Sequence, residues 1–249
     1  MNPALLTTAR WHMLNGASLP WGQKISDELI ALIGERLGYP APSTPDHALL
    51  PIASLPPRGT PHKIALVVGH ARPMDEGNVG AGGVSEEEYN TPLVKAVSQR
   101  LVDRGIETIV VTDIPMSGYE AAMRWLAKHL SDRGATAAIE FHFNAYNRLA
   151  KGREVLHWER SVRGVTLAKS IMGALDRNFP RQVSRGLKPR TARDRGALFL
   201  SLTACPACIV EPFFGDNPDE WRQFDDMDEF DRLVDAYVTG IVDWTRSNP

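Results

Sequence analysis

The sequence predicts an α/β layered fold: one domain with about six strands in a largely parallel sheet flanked by helices, preceded by a short N-terminal helical extension. Two observations carry this. Short continuous apolar runs such as residues 64–68 recur along the chain, as in strands buried on both faces. Between them lie segments with apolar residues at helical spacing, several closed by glycine. Strands that alternate with helices argue for a layered sheet.

The elements follow in order. Residues 21–37, after Pro20, read as an amphipathic helix with Ile25, Leu29, Leu32, Ile33 and Leu37 on one face. Seven prolines between positions 40 and 61 favour an extended connector, so residues 1–60 form an extension with a linker and 61–249 the main domain. Strands are expected at 64–68, 106–112, 137–143, 154–158, 197–202 and 208–211. Helices are expected at 86–104 (Leu93, Val94, Val97, Leu101), 118–131, 162–179 and 228–245.

Bulk properties narrow the function classes. A net charge of -2 argues against a general nucleic-acid binder. The charge is unevenly spread, however: residues 148–195 hold thirteen basic side chains against Glu154, Glu159, Asp176 and Asp194, whereas residues 216–243 hold many acids, no Lys and only Arg222 and Arg232. Two solvated faces explain this simply; a basic rim that attracts an anionic polymer is the sharper reading. No apolar run reaches the ~20 residues of a membrane span, so stable membrane insertion is not expected. The first twenty residues lack a signal-peptide pattern, and synthesis in the cytoplasm is the expectation. The two cysteines, Cys205 and Cys208, exclude a disulfide scaffold and read as small buried residues entering a strand.

The chemistry-bearing residues fall at the ends of these elements. In open α/β sheets, sites form at the carboxyl ends of strands. His70 lies two residues past the first strand, His142 near the end of the third and Glu211 at the end of the last. Glu86 reaches the same edge from the start of a helix, after the glycine-rich stretch 77–83. Two imidazoles and a carboxylate suit one zinc ion with an open position, and a second glutamate suits the base that activates water there. Glu87 and Glu88 adjoin Glu86, and residue type alone does not choose among the three. His12, His47, His62, His129 and His157 read as surface, loop or packing residues.

These spacings resemble the zinc-dependent N-acetylmuramoyl-L-alanine amidases of the amidase 3 family. The resemblance spans residues 63–245 and rests on motifs in order. They are Gly69-His70, Gly80-Ala-Gly-Gly-Val-Ser-Glu86 with Asn90, His142-Phe-Asn144-Ala, Gly152-Arg-Glu154-Val, Arg185-Gly-Leu-Lys188 and Pro206-Ala-Cys-Ile-Val-Glu211. It implies that His70, Glu86 and His142 bind one zinc ion and that Glu211 is the catalytic carboxylate. The family pattern selects Glu86 because it stands four residues before Asn90. The resemblance also implies peptidoglycan as substrate, with Asn144, Arg185 and Lys188 as candidate substrate-binding residues. Arg offers a forked donor to carboxylates. An endolysin released through a holin then follows from a wall-degrading activity without an export signal. The chain departs from the pattern at Ala71-Arg72 and in the polar loop 72–78. Two other readings stand beside it: a zinc amidohydrolase of the N-formylglutamate or carboxypeptidase-like type, and a catalytically silent wall-binding protein. Retention of Glu211 and all three candidate ligands ranks the silent protein last.

Overall fold

The computed structural model describes residues 62–248. The expected helix at 21–37, the proline-rich connector and the boundary near residue 60 lie outside them. The described chain runs β1 (Lys63–Val68), α1 (Glu86–Val102), β2 (Glu107–Val111), α2 (Tyr119–Asp132), β3 (Ala137–Phe141), β4 (Arg153–Trp158), α3 (Val162–Asn178), β5 (Ser184–Arg190), α4 (Ala197–Leu202), β6 (Ala207–Glu211), α5 (Pro218–Phe224) and α6 (Met227–Ser247). The six strands form one sheet in the order β2-β1-β3-β6-β4-β5. β1 pairs in parallel with β2 and β3, and β3 with β6. β4 pairs antiparallel with β6 and parallel with β5, so the last two strands run against the other four.

Both faces of the sheet are covered, which is why its strands read as apolar runs rather than as alternating patterns. On one face, Ala65, Val67, Ala138, Leu156 and Ile209 pack with Ala122, Leu126 and Leu130 of α2 and Phe199 and Leu200 of α4. Toward the other face, α3 and α6 lie against each other, and Phe141 of β3 meets Tyr237 of α6 edge-on at 5.0 Å. The acidic α6 is not simply a solvated face. Arg100 binds Asp231 and Asp235, and Arg177 binds Asp243. Arg153, one of the thirteen basic residues, is buried and grips Asp176 at 2.6 Å, so it is no part of a basic rim.

The expectations differ from the structure at three places. Residues 197–202 form the helix α4, not a strand. Buried Ala197, Phe199 and Leu200 line its inner side while Ser201 is exposed, and a six-residue apolar run cannot be told apart as strand or helix by composition. The sixth strand is instead β5, which has no apolar run because it is an edge strand with no fully buried residue. Pro189 is tolerated there, where a missing N–H costs no central ladder bond. The short helix α5 is a further element that the sequence pattern does not predict. It begins at Pro218 behind Asn217, whose side chain accepts from the N–H groups of Asp219 and Glu220.

α5 explains the glycine-rich loop. Its Trp221 lies so close beneath the loop that a Cβ on Gly80 would sit 2.3 Å from the indole, and one on Gly82 2.1 Å from Nε1. The glycines let the backbone lie on the ring, and the loop is thereby held where α1 begins. Ser85 then caps α1 in a capping box: its hydroxyl accepts from the Glu88 N–H at 3.1 Å, and Glu88 accepts from the Ser85 N–H at 2.8 Å.

Candidate active site

Four strands deliver groups to one edge of the sheet. His70 follows β1, His142 follows β3, and Glu211 ends β6. Because β4 runs antiparallel to β6, its beginning meets that edge, and Glu154 stands in register with Glu211. The capping box separates the three adjacent glutamates. Glu88 is exposed and tied to the helix cap, and Glu87 is half-buried with its backbone N–H bonded to the Glu76 carbonyl, whereas Glu86 is buried between the two histidines.

Glu86 organises one half of the site. Its Oε1 lies 2.7 Å from His142 Nδ1 and accepts from the Phe143 backbone N–H at 3.2 Å. Its Oε2 accepts from the backbone and side-chain N–H groups of Asn78, both at 3.1 Å, and lies 3.6 Å from His70 Nε2. Burial alone would raise its pKa, but the hydrogen bond and charge of His142, the charge of His70 and the Asn78 N–H outweigh burial and lower it. His70 sits at φ 61°, and its Nδ1 lies 2.8 Å from Asp75 Oδ1. Burial pushes Asp75 up as well, yet the bond and charge of His70, the Gly77 N–H and Arg72 bring its pKa below the usual value. His142 shows the converse: burial disfavours its cation, but Glu140 and Glu86 together raise its pKa well above 6.5.

This half fits a divalent cation. One donor atom each from His70, Glu86 and His142 lie within 4.8 Å of one another. The imidazole rings stand nearly perpendicular, 5.0 Å apart. Two glycines leave room for the donors: a Cβ on Gly69 would fall 2.3–2.6 Å from the His142 ring, and one on Gly77 2.7–2.8 Å from Glu86 and His70. Two imidazoles with one carboxylate suit zinc.

Glu211 forms the other half and is built differently. Its Oε2 is closed off from solvent and has no hydrogen-bond partner among the described residues. Burial raises its pKa to about 8; His142 opposes the shift, and Glu86, Glu154 and Glu140 reinforce it.

The candidate substrate residues divide. Arg185 reaches the edge, its Nε 2.7 Å from Glu154 Oε2 and its guanidinium 5.0 Å over the Phe214 ring. Asn144 donates to the other oxygen of Glu154 at 2.9 Å. Lys188 is not brought to the edge: it pairs with Leu156, which faces Ile209, two residues back along β6 from Glu211. The sequence gives Glu140 and Asp75 no role, and Glu154 enters only as a residue of the Gly152-Arg-Glu154-Val motif. Glu140 had a signal, since it lies two residues before His142 and so shares its strand face. The motif marks Glu154 but not its place beside Glu211, which depends on the reversed direction of β4. Cys208 is buried in β6 and Cys205 precedes it; burial pushes both thiols up, Cys205 to about 11, so neither is a ready nucleophile or ligand.

Donors that can hold a Lewis-acidic cation, beside a carboxylate oxygen free to take a proton, suit metal-assisted hydrolysis. The chain belongs to the amidase 3 family of N-acetylmuramoyl-L-alanine amidases, which matches residues 64–243. It is similar in fold to the CwlD amidase of Clostridioides difficile, solved in complex with the GerS lipoprotein (TM-score 0.66, 20% identity, 75% of this chain and 100% of that one). The amidase AmiC2 of Nostoc punctiforme superimposes with a TM-score of 0.63 at 19% identity, covering 74% and 97%. The catalytic domain of the CD27L endolysin, which targets Clostridia difficile, gives 0.60 at 23% identity, covering 73% and 97%. No curated protein sequence matches the chain. No helix among the described residues is long and apolar enough to cross a membrane.

Proposed function

We propose that the domain formed by residues 61–249 hydrolyses the amide between N-acetylmuramic acid and the L-alanine of the peptidoglycan stem peptide. One zinc ion would be held by His70, Glu86 and His142. The observation that supports this most is the pairing of a three-donor cluster with a carboxylate oxygen, Glu211 Oε2, that is closed off from solvent and has no hydrogen-bond partner among the described residues, at the same sheet edge. Zinc bound there supplies Lewis acidity, which polarises the amide carbonyl and eases deprotonation of water near neutral pH.

The chain's own groups carry the protons. Glu211 Oε2, free of other hydrogen bonds, takes a proton from the attacking water and returns it to the L-alanine nitrogen. The lactyl carbon–nitrogen bond breaks, leaving a carboxylate on the muramic acid and a free amine on the peptide. Glu154, held by Asn144 and Arg185, shapes the wall beside Glu211. Arg185, exposed on its outer side, offers a forked donor to stem-peptide carboxylates. Likeness to an endolysin catalytic domain accords with a wall-lytic role.

Mass spectrometry of purified muropeptides and sacculi, digested with zinc-loaded protein beside a Glu211→Ala control, tests this. Stem peptides with free L-alanine amino termini from wild type alone are expected. Intact substrate from a zinc-bound, folded wild type would overturn the peptidoglycan assignment.

A further inference from the structure

A histidine that binds a cation through one ring nitrogen carries its proton on the other, and that proton needs an acceptor. His70 has one in Asp75, 2.8 Å from Nδ1, which leaves Nε2 facing Glu86. His142 is the mirror case. Its Nδ1 faces Glu86 at 2.7 Å, and its Nε2 lies 3.3 Å from Glu140 Oε2.

Glu140 is an unusual residue for its place. It sits in β3, in a run where every residue is buried, and is itself 5% exposed. A carboxylate is costly to bury in such a layer unless something there uses its charge or its lone pairs. The cationic or N–H face of His142 is the use the geometry offers. Glu140 also fixes the ring against rotation about its Cβ–Cγ bond, because the opposite side is occupied by Glu86 and by the close backbone of Gly69.

We infer that Glu140 is a positioning residue for the metal centre: it accepts the Nε2 proton of His142 and so presents Nδ1, not Nε2, to the cation. The two histidines would then bind through different nitrogens, His70 through Nε2 and His142 through Nδ1, each backed by its own carboxylate. The inference rests on the metal reading of the site.

Long-range 1H–15N correlation of the zinc-loaded, labelled protein tests the tautomer in the wild type itself. The Nε2–H form of His142 is expected; the Nδ1–H form, with Nε2 on the metal, would overturn the inference. Zinc dissociation constants from competition with a chromogenic chelator test Glu140 directly. Glu140→Ala should weaken zinc about 10- to 100-fold, the range for lost carboxylate–histidine partners. Glu140→Gln, whose amide oxygen accepts the same proton, should recover most of that loss, a rescue that a merely structural role does not require. Wild-type affinity in Glu140→Ala, or equal weakness in both variants, would overturn it. A wild type that binds no zinc would instead sink the metal reading beneath it.

Discussion

The two halves of the site are built on opposite principles. Around Glu86 every acidic oxygen is engaged: two ring nitrogens, two backbone N–H groups and the Asn78 amide converge on one buried carboxylate. Glu211 ends a neighbouring strand with an oxygen that meets no donor among the described residues. Under the proposed function, the difference is one of purpose. A satisfied network fixes geometry, because any movement breaks several bonds at once. An unsatisfied buried carboxylate stores a desolvation cost that uptake of a proton relieves, which is what a proton carrier needs. The first half is suited to holding, the second to reacting.

Substitution of the two glutamates should separate these roles. The largest effect is expected for Glu211→Gln, which keeps shape but cannot take up a proton. Turnover on muropeptides should fall by about 10²- to 10⁴-fold, the usual worth of general acid–base help. Zinc affinity should change little and the melting temperature should not fall, since a carboxyl whose pKa is raised to about 8 is mostly uncharged at neutral pH and the amide keeps its shape. Loss of zinc binding in this variant would erase the contrast. Glu86→Ala should do the reverse: zinc binding disappears, and the metal-free protein loses about 3–5 kcal/mol in urea denaturation, as when one partner of a buried ion pair is removed. A metal-free Glu86→Ala protein as stable as wild type would show that the network contributes no rigidity of its own.

The holding half was far more legible in the sequence than the surroundings of the reacting half. His70, Glu86 and His142 stand at the ends of apolar runs or at a helix start, so the general rule for strand ends brought them together. Choosing Glu86 over its neighbours needed the family pattern, and the structure adds a physical reason: Glu88 is occupied by the capping box. Glu211 was legible for the same reason as the histidines. Glu154 and Arg185 were not understood in place, because both depend on β4 and β5 running backwards. Strand direction leaves no mark on a short apolar run, and an edge strand such as β5 lacks even the run. The error at residues 197–202 has the same root: hydrophobicity reports burial, and six buried residues satisfy a helix or a strand equally well.

A smaller perturbation can sharpen the contrast without removing any functional group. Gly77 adopts φ 75°, and a Cβ there would lie 2.7 Å from the Glu86 Cβ, 2.8 Å from its Oε2 and 2.8 Å from His70 Cδ2. Gly77→Ala therefore strains the backbone and presses on the donor cluster, while Glu211 lies on a different element. Overpacking of this kind costs about 1–3 kcal/mol. If the cluster is rigid because its bonds are mutually satisfied, it cannot yield by a few tenths of an ångström without losing several. The cost should then appear in zinc affinity, read by chelator competition, as well as in the melting temperature. Activity at saturating zinc should recover toward wild type, because Glu211, the proposed proton carrier, is untouched. A variant that keeps full zinc affinity would show that the cluster is pliable, and would place its order in the bound cation rather than in the chain.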